Sequence, residues 1–282
     1  MPNLKYEMLI DYHLHNHFSP DSVADTAELL KMEHGFGVRH LCFTNHAETF
    51  DKKEEVAGIF KLKEATTRFN EIQKELAVMR GRFPDMDIRF GVELQYQPEY
   101  MDALAQFVKQ TPFDFILGSV HIIDGVLISG GRHAKEAFKP MKEHTAYTHY
   151  FEDVLKLVEW GHFDAVAHFD ICKKFGHLHY GPFKPEKYKT EILRVLKAMK
   201  AKGIGMELNA GSLHKNCHEL FPHPDILKWC LNVGIENFTF GSDAHELDRA
   251  GRYLHEVLAI AKEVGITHVS TFKGRITTRF KI

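Results

Sequence analysis

The sequence of 282 residues predicts an α/β barrel. Seven short apolar segments alternate with amphipathic segments of helical periodicity. Apolar strands that alternate with helices are typical of a parallel sheet buried on both faces. Seven such units favour a closed barrel over an open sheet, although alternation alone is compatible with both. The chain has no long linker, low-complexity tract or internal repeat, so we predict a single domain over residues 1–282.

The predicted elements follow one another as strand, helix, strand. Residues 8–15 form the first strand, and the turn-like Ser19-Pro20-Asp21-Ser22 separates it from an amphipathic helix over 25–33. The other candidate strands are the apolar runs 40–45, 88–95, 115–122, 165–170, 205–209 and 238–243. The other candidate helices have apolar residues at helical spacing and cover 60–79, 98–109, 147–158, 187–202, 224–232 and 254–264.

The composition is that of an ordinary soluble globular protein. Apolar residues make up 44% of the chain, charged residues 26%, and the formal net charge is -2. No bulk charge therefore attracts nucleic acid or a membrane, and no run approaches the roughly 18 apolar residues of a membrane span. The N-terminal residues lack the apolar core of a signal peptide, and the four scattered cysteines form no CxxC motif. We expect reduced thiols and a cytoplasmic protein.

Side chains that can bind metal lie at the C-terminal end of every predicted strand. The chain contains 20 histidines, and several occur at these ends. In a parallel barrel the C-terminal strand ends meet at one mouth, where active sites are built. In chain order, the residues at the strand ends are His13 and His15, His46, Glu93, His121, His168 and Asp170, Glu207 and Asn209, and Asp243 and His245.

The residue types at these ends indicate a metal centre. His13 and His15 share one face of a strand, because alternate residues of a strand point the same way. Neutral imidazole and carboxylate groups suit zinc, iron or manganese, and six or more of them can hold two ions. Taken singly, His13-x-His15 is more often a solvent-facing or internally paired motif, and His121 and His168 are equally typical of core histidines. The agreement of seven strand ends favours a metal-dependent hydrolase.

Several of these segments resemble the motifs of the polymerase and histidinol phosphatase (PHP) superfamily. The resemblance extends in order through nearly the whole chain and is close to the stand-alone histidinol-phosphate phosphatases. The segments are Asp11-Tyr-His-Leu-His15, Thr44-Asn-His46, Gly91-Val-Glu93, Gly118-Ser-Val-His121, Ala167-His-Phe-Asp170 and Gly241-Ser-Asp-Ala-His245.

The resemblance implies a distorted (β/α)7 TIM-like barrel with two or three divalent ions, which would be Zn, Mn or Fe. It assigns His13, His15, Glu93 and Asp243 to a first ion. It assigns Glu93, His121 and His168 to a second ion, with Glu93 bridging. A third ion would be held by Asp21, His46 and His245, and many members of the superfamily have histidine in place of Asp21.

The implied activity is hydrolysis of a phosphomonoester, with L-histidinol phosphate in histidine biosynthesis as the substrate. The implied nucleophile is a hydroxide between the first two ions, and the candidate catalytic side chains are Asp170 and His245. The proton for the leaving group is expected from Asp170 or from metal-bound water. The partner is therefore a small phosphorylated molecule, with neither nucleic acid nor a membrane, and the sequence leaves the oligomeric state open.

The phosphate-binding residues depart from the pattern of the family. Lysine or histidine replaces arginine after the fifth and sixth strands, and lysine lacks the bidentate fork of arginine. The candidates are Lys174, His214, Lys215, Arg132 and Arg249.

These departures leave several alternatives open. The first is a phosphodiesterase or nucleotide phosphatase of the same family. The second is an amidohydrolase-type barrel, which would need an eighth strand and a ligand on the fourth strand. The third is a non-catalytic module, which typically loses ligands that this chain retains.

Overall fold

Seven parallel strands form one sheet that curves into a nearly closed barrel, as the sequence predicts. The computed structural model describes residues 8–48, 60–130, 134–213 and 217–282. Neighbouring strands pair in the order β1-β2-β3-β4-β7-β8-β9, and every pair is parallel. These strands are β1 (Ile10–Leu14), β2 (His40–Phe43), β3 (Asp87–Gln95), β4 (Phe115–Ser119), β7 (Ala165–Val166), β8 (Gly205–Asn209) and β9 (Phe238–Gly241).

Backbone hydrogen bonds beyond the end of β9 close the barrel against β1. The Asp243 N–H donates to His13 O over 2.9 Å, and the His15 N–H donates to Ala244 O over 3.0 Å. These bonds join two segments that carry predicted ligands. The position of these ligands relative to one another is therefore fixed by the backbone at the seam of the barrel.

Helices surround the sheet, and seven of them occupy predicted positions with shifts of a few residues at their ends. The helices are α1 (Thr26–Gly35), α2 (Leu62–Arg82), α3 (Met101–Gln110), α4 (Glu143–Trp160), α5 (Lys173–Tyr180), α6 (Lys189–Lys202), α7 (Pro224–Val233) and α8 (Leu254–Val264). Among the described residues, none of the helices has the length and apolar character required to cross a membrane.

Helix α5 and two hairpins of the structure are not predicted from the sequence. The smaller hairpin consists of β5 (Ile122–Ile123) and β6 (Val126–Leu127), and the larger of β10 (His268–Lys273) and β11 (Ile276–Lys281). The predicted fifth strand, 165–170, was too long, since β7 ends at Val166. Two residues later His168 has a φ of 28°, which is incompatible with a continuing strand.

The C-terminal hairpin covers the end of the barrel where the strands begin. Phe272 packs against Phe115 with 4.7 Å between ring centroids, and its backbone N–H donates to the Tyr12 hydroxyl over 3.0 Å. Arg275 forms a 3.0 Å ion pair with Asp164, just before β7. The hairpin therefore seals the end opposite the predicted ligands and leaves the other end accessible.

A fully buried pair of carboxyl groups joins α1 to β1. Asp11 and Glu33 are neighbours, and Asp11 Oδ2 and both Glu33 oxygens are buried without a hydrogen-bond partner among the described residues, whereas Asp11 Oδ1 accepts the backbone N–H groups of His13 and Ser242. Burial raises the pKa of Asp11 to about 6. Burial and the nearby Asp11 charge raise the pKa of Glu33 well above its ordinary value. Two carboxylates in contact in a buried site cannot both be ionised, so the pair shares a proton at neutral pH.

Replacing Glu33 with glutamine is expected to stabilise the protein increasingly as pH rises. Folding takes up a proton at Glu33, so wild-type stability falls by up to about 1.4 kcal/mol per pH unit above the pKa of the unfolded chain. Glutamine donates a hydrogen bond to Asp11 without binding that proton. The difference in free energy of unfolding between variant and wild type, measured by urea denaturation between about pH 5 and pH 8, should grow with pH. A pH-independent difference would contradict the shared proton.

Candidate metal centre

The structure brings all nine predicted metal ligands together at the C-terminal ends of the strands. Together with Glu48, their donor atoms form four overlapping sets, and within each set the atoms lie within 4.8 Å of one another. The nine predicted ligands divide into three groups, one for each predicted ion. The loop after β1 contributes Asp21, which reaches the same mouth from outside the strand ends.

The first group surrounds one oxygen of Glu93. His13 Nε2 lies 3.2 Å and His15 Nε2 3.5 Å from Glu93 Oε2. The same two nitrogens lie 3.6 Å and 3.7 Å from Asp243 Oδ1. His15 Nε2 is buried and has no hydrogen-bond partner, although it faces both carboxylates. An orphaned buried donor in such a position fits a metal ligand.

The second group surrounds the other oxygen of Glu93. His168 Nε2 lies 3.0 Å and His121 Nε2 3.2 Å from Glu93 Oε1, and the two imidazole nitrogens are 3.2 Å apart. Glu93 is 1% exposed, and its two oxygens face different histidines: Oε1 faces His121 and His168, and Oε2 faces His13, His15 and His46. This arrangement suits a carboxylate that bridges two ions.

The third group is the most accessible. Asp21 Oδ2 lies 3.0 Å from His245 Nε2 and 3.3 Å from His46 Nε2. The Asp21 side chain is 37% exposed, whereas the side chains of His13 and His15 are fully buried. An ion in this group would therefore lie on the solvent side of the other two.

The backbone adopts rare conformations at two of the predicted ligands. His168 has a φ of 28° and Asp243 a φ of 56°, in the left-handed region that non-glycine residues seldom occupy. Gly241, at the end of β9, is required by a close approach, because a Cβ there would overlap Glu207 Oε1 and the Cβ of His13. Strained residues persist where the surrounding structure enforces them, and they are concentrated at functional sites.

The outer nitrogens of three histidines have acceptors that fix the rings. His13 Nδ1 lies 2.6 Å from Glu207 Oε1, His15 Nδ1 lies 3.1 Å from Ser19 Oγ, and His121 Nδ1 lies 3.3 Å from Gln95 Oε1. Each ring thus directs Nε2 at the cluster. Metal-binding histidines generally have such an outer partner, which sets the tautomer and the orientation of the ring.

Glu207 contacts two of the predicted ligands, but the sequence alone indicates no such role. It is 1% exposed, and its second oxygen accepts the backbone N–H of His168 over 2.7 Å. One carboxylate therefore supports ligands of the first and second groups. The available signal was its position at the end of the sixth strand, but sequence cannot tell an inner ligand from an outer acceptor.

Replacing Glu207 with glutamine is expected to weaken metal binding and activity about 10- to 100-fold. The amide preserves the shape of the side chain but loses the charge that faces His13 Nδ1. Metal affinity, measured by competition with a chelating dye, and kcat should fall together while the circular dichroism spectrum is unchanged. Wild-type metal affinity in the variant would exclude this role.

The comparisons with known proteins agree with this geometry. A family model described as the PHP domain matches residues 11–211. The chain belongs to the PHP domain family. The seven-stranded barrel, with the potential bridging carboxylate on the third strand, differs from the eight-stranded amidohydrolase alternative.

Relatives of this PHP protein match along nearly their full length. Histidinol-phosphatase of Lactococcus lactis is 26% identical over 275 residues, which covers 94% of each chain. A probable histidinol-phosphatase of Deinococcus radiodurans is 26% identical over 267 residues, covering 95% of this chain and 97% of the relative. The crystal structure of Lactococcus lactis histidinol phosphate phosphatase, complexed with zinc, L-histidinol and phosphate, has a TM-score of 0.79. It is 23% identical and covers 96% of this chain and 98% of its own, which shows a shared fold.

The ionisation states of His15 and Glu93 in this PHP domain favour metal coordination. Burial and the nearby His245, His46 and His13 lower the pKa of His15 well below its ordinary value. Burial alone would raise the pKa of Glu93, but the surrounding histidines hold it well below its ordinary value. Neutral imidazole and ionised carboxylate are the forms that bind metal.

The two candidate catalytic side chains have different surroundings. Asp170 is fully buried, and its Oδ2 accepts hydrogen bonds from Lys173 Nζ and the His223 N–H, each over 2.9 Å. Burial raises the pKa of Asp170, which Lys173 partly offsets. For His245, burial lowers the pKa, but the carboxylates of Asp21 and Asp243 together outweigh this effect and raise the pKa above its ordinary value. Of these two described side chains, only His245 contacts another predicted ligand, with its Nε2 3.0 Å from Asp21 Oδ2.

The candidate phosphate-binding residues are only partly described. Arg132, His214 and Lys215 lie outside the described residues. Lys174, in the first turn of α5, donates to the Ser129 carbonyl. Arg249 lies four residues after His245, with its Nε 3.5 Å from Asp248 Oδ1. Lys174 and Arg249 are thus each in contact with a group of the protein. Their binding of phosphate stays a prediction.

Proposed function

We propose that this protein is a metal-dependent phosphomonoesterase that hydrolyses L-histidinol phosphate to L-histidinol and phosphate. The observation that carries the proposal is the three-part cluster of imidazole and carboxylate groups around Glu93. The histidinol-phosphatase names of relatives that match almost end to end support the choice of substrate. This reaction belongs to histidine biosynthesis, and on that ground we place the protein in the cytoplasm.

The residues of the cluster fit two or three divalent ions. Six Nε2 atoms and three carboxylates converge, and no thiolate is among them, which suits Zn, Mn or Fe. Such ions would activate water as a nucleophile and withdraw charge from the phosphoryl group. His13, His15, Glu93 and Asp243 would hold the first ion. His121 and His168 with Glu93 would hold the second, and Asp21, His46 and His245 the third.

The charge of the cluster explains how a near-neutral protein can attract a phosphate. Three divalent ions would bring six positive charges, and the carboxylates of Asp21, Glu93 and Asp243 would return three. A mouth with a net positive charge concentrates a phosphate dianion locally, whatever the net charge of the chain. The accessible third group, at Asp21, would be the first of the three that such a substrate meets.

Asp170 is better suited to positioning than to proton donation. Its carboxylate accepts hydrogen bonds from Lys173 and the backbone of His223, and Lys173 Nζ also donates to Leu220 O over 2.8 Å. These contacts tie the start of α5 to the segment 217–223. We therefore assign Asp170 to the support of this segment beside the mouth.

The proposal is tested with purified protein loaded with Zn or Mn. Phosphate release is measured from L-histidinol phosphate, nucleoside monophosphates, p-nitrophenyl phosphate and bis-p-nitrophenyl phosphate, with His13→Ala as the inactive control. The highest kcat/KM is expected for L-histidinol phosphate. A higher value for a nucleotide or a diester would instead support the alternative PHP activities. Activity that survives in His13→Ala would refute the first metal group.

A further inference from the structure

Glu48 is a nearly buried carboxylate beside the metal cluster that belongs to none of the three ligand groups assigned above. It follows His46 by two residues, and its side chain is 8% exposed. Its Oε1 lies 3.4 Å from His46 Nδ1, and its carboxylate lies within 4.8 Å of donor atoms of His46 and His121. A carboxylate buried at this position requires a hydrogen-bond donor or a positive charge beside it.

The two ring nitrogens of His46 face different groups. Nε2 lies 3.3 Å from Asp21, in the third ligand group. Nδ1 lies 3.2 Å from Glu93 Oε2 and 3.4 Å from Glu48 Oε1. With ions bound, the two oxygens of Glu93 would be ligands of the first and second ions and could not accept the Nδ1–H of His46. Glu48 is then the carboxylate that remains for the Nδ1–H of His46 in the part of the chain that the structure describes.

The backbone of this segment is anchored without the side chain of Glu48. Arg68 Nη2, on α2, donates to the carbonyl groups of His46 over 2.7 Å and Ala47 over 2.6 Å. The Ala47 N–H donates to Glu93 O over 3.2 Å. Removal of the Glu48 carboxylate should therefore free the imidazole ring of His46 while the chain stays in place.

We propose that Glu48 is a positioning residue that orients His46 for the third ion and thereby sets the affinity of that site. The inference rests on the proposed function only in treating the cluster as a metal centre. His46 Nδ1 is buried and has no hydrogen-bond partner among the described residues. In the metal-bound protein the Glu48 carboxylate would accept its N–H, so that Nε2 would present its lone pair toward Asp21 and His245. Glu48 thus has the same relation to His46 that Glu207 has to His13.

The test measures bound metal directly in the full-length protein. Apo wild type, Glu48→Ala, Glu48→Gln and the charge-matched control Glu75→Gln are titrated with Zn²⁺ against a chelating dye. Bound ions per chain are counted by mass spectrometry, and circular dichroism checks the fold. Glu75 contacts Thr26 and His17, outside the predicted ligands.

Wild type and Glu75→Gln should bind three ions. In Glu48→Ala, the affinity of the weakest site alone should fall about 10- to 100-fold, with partial recovery in Glu48→Gln because the amide oxygen still accepts a hydrogen bond. A Glu48→Ala variant with three ions of wild-type affinity would overturn the proposal. So would a uniform loss at all sites, or a wild type that binds only two ions. Because the readout is metal binding, a failure to hydrolyse L-histidinol phosphate would refute the proposed function and leave this result standing.

Discussion

Replacing Glu93 with glutamine is expected to reduce kcat by about 10⁴-fold, the scale on which loss of a central catalytic group acts. Each oxygen of Glu93 faces a different set of histidines, with distances of 3.0 to 3.5 Å. The amide of glutamine retains the shape but offers one neutral oxygen, and its NH₂ group would point at one of the two groups. Both the first and the second ion would lose their shared anionic ligand.

The measurement compares kcat for L-histidinol phosphate and the number of bound ions in wild type and Glu93→Gln. Glu99→Gln is the charge-matched control, because Glu99 lies exposed a few residues later in the same segment. We expect the control to be indistinguishable from wild type. A Glu93→Gln variant that holds the wild-type number of ions and keeps a tenth or more of the activity would contradict the bridging role.

Removal of the metal by a chelator is expected to abolish activity and to lower the melting temperature substantially. Ligands that bind only the folded state stabilise it by about 4 kcal/mol per site at a concentration of 1,000 Kd. The cluster also places His13, His15 and Glu93 in a fully buried site, where a metal-free protein leaves donors such as His15 Nε2 without partners. Such unsatisfied buried groups are costly.

The experiment records thermal unfolding and phosphate release before chelation, after chelation and after the addition of Zn²⁺, Mn²⁺ or Mg²⁺. Zn²⁺ or Mn²⁺ should restore both properties. Mg²⁺ should restore them poorly, because it prefers oxygen ligands and retains its waters. An unchanged melting temperature after verified metal removal would contradict stabilisation of the fold by the ions, and activity that persists without metal would contradict a metal-dependent reaction.

Helix α5 and the C-terminal hairpin were not predicted for identifiable physical reasons. Helix α5 is only eight residues long and contains Gly176 and two histidines, so its local helix preference is weak. It forms against Tyr147, whose hydroxyl would overlap a Cβ at position 176. The sequence of the C-terminal hairpin does indicate two strands joined by a turn, although the hairpin was not predicted. Its strands are rich in β-branched residues, and Gly274 and Arg275 both have positive φ, as a two-residue turn between antiparallel strands requires.

The sequence by itself determined the alternation of strands and helices, the PHP family and the nine residues that converge at the mouth. For eight of the nine this was possible because parallel strands align their C-terminal ends, so that residues far apart in the chain reach one place through a local rule. Asp21, in the loop after β1, was implied only by the resemblance to the family. The candidate residues for phosphate did not follow from any such rule, and their role stays a prediction.

Only the tertiary structure decided which groups support the predicted ligands. Glu207 reaches His13 across 194 residues of chain, and Glu33 meets Asp11 from a separate helix. Glu48 is close to His46 in sequence, but its role depends on Glu93 facing other histidines with both oxygens. These assignments depend on distances between side chains from different elements, which no periodicity in a single segment encodes.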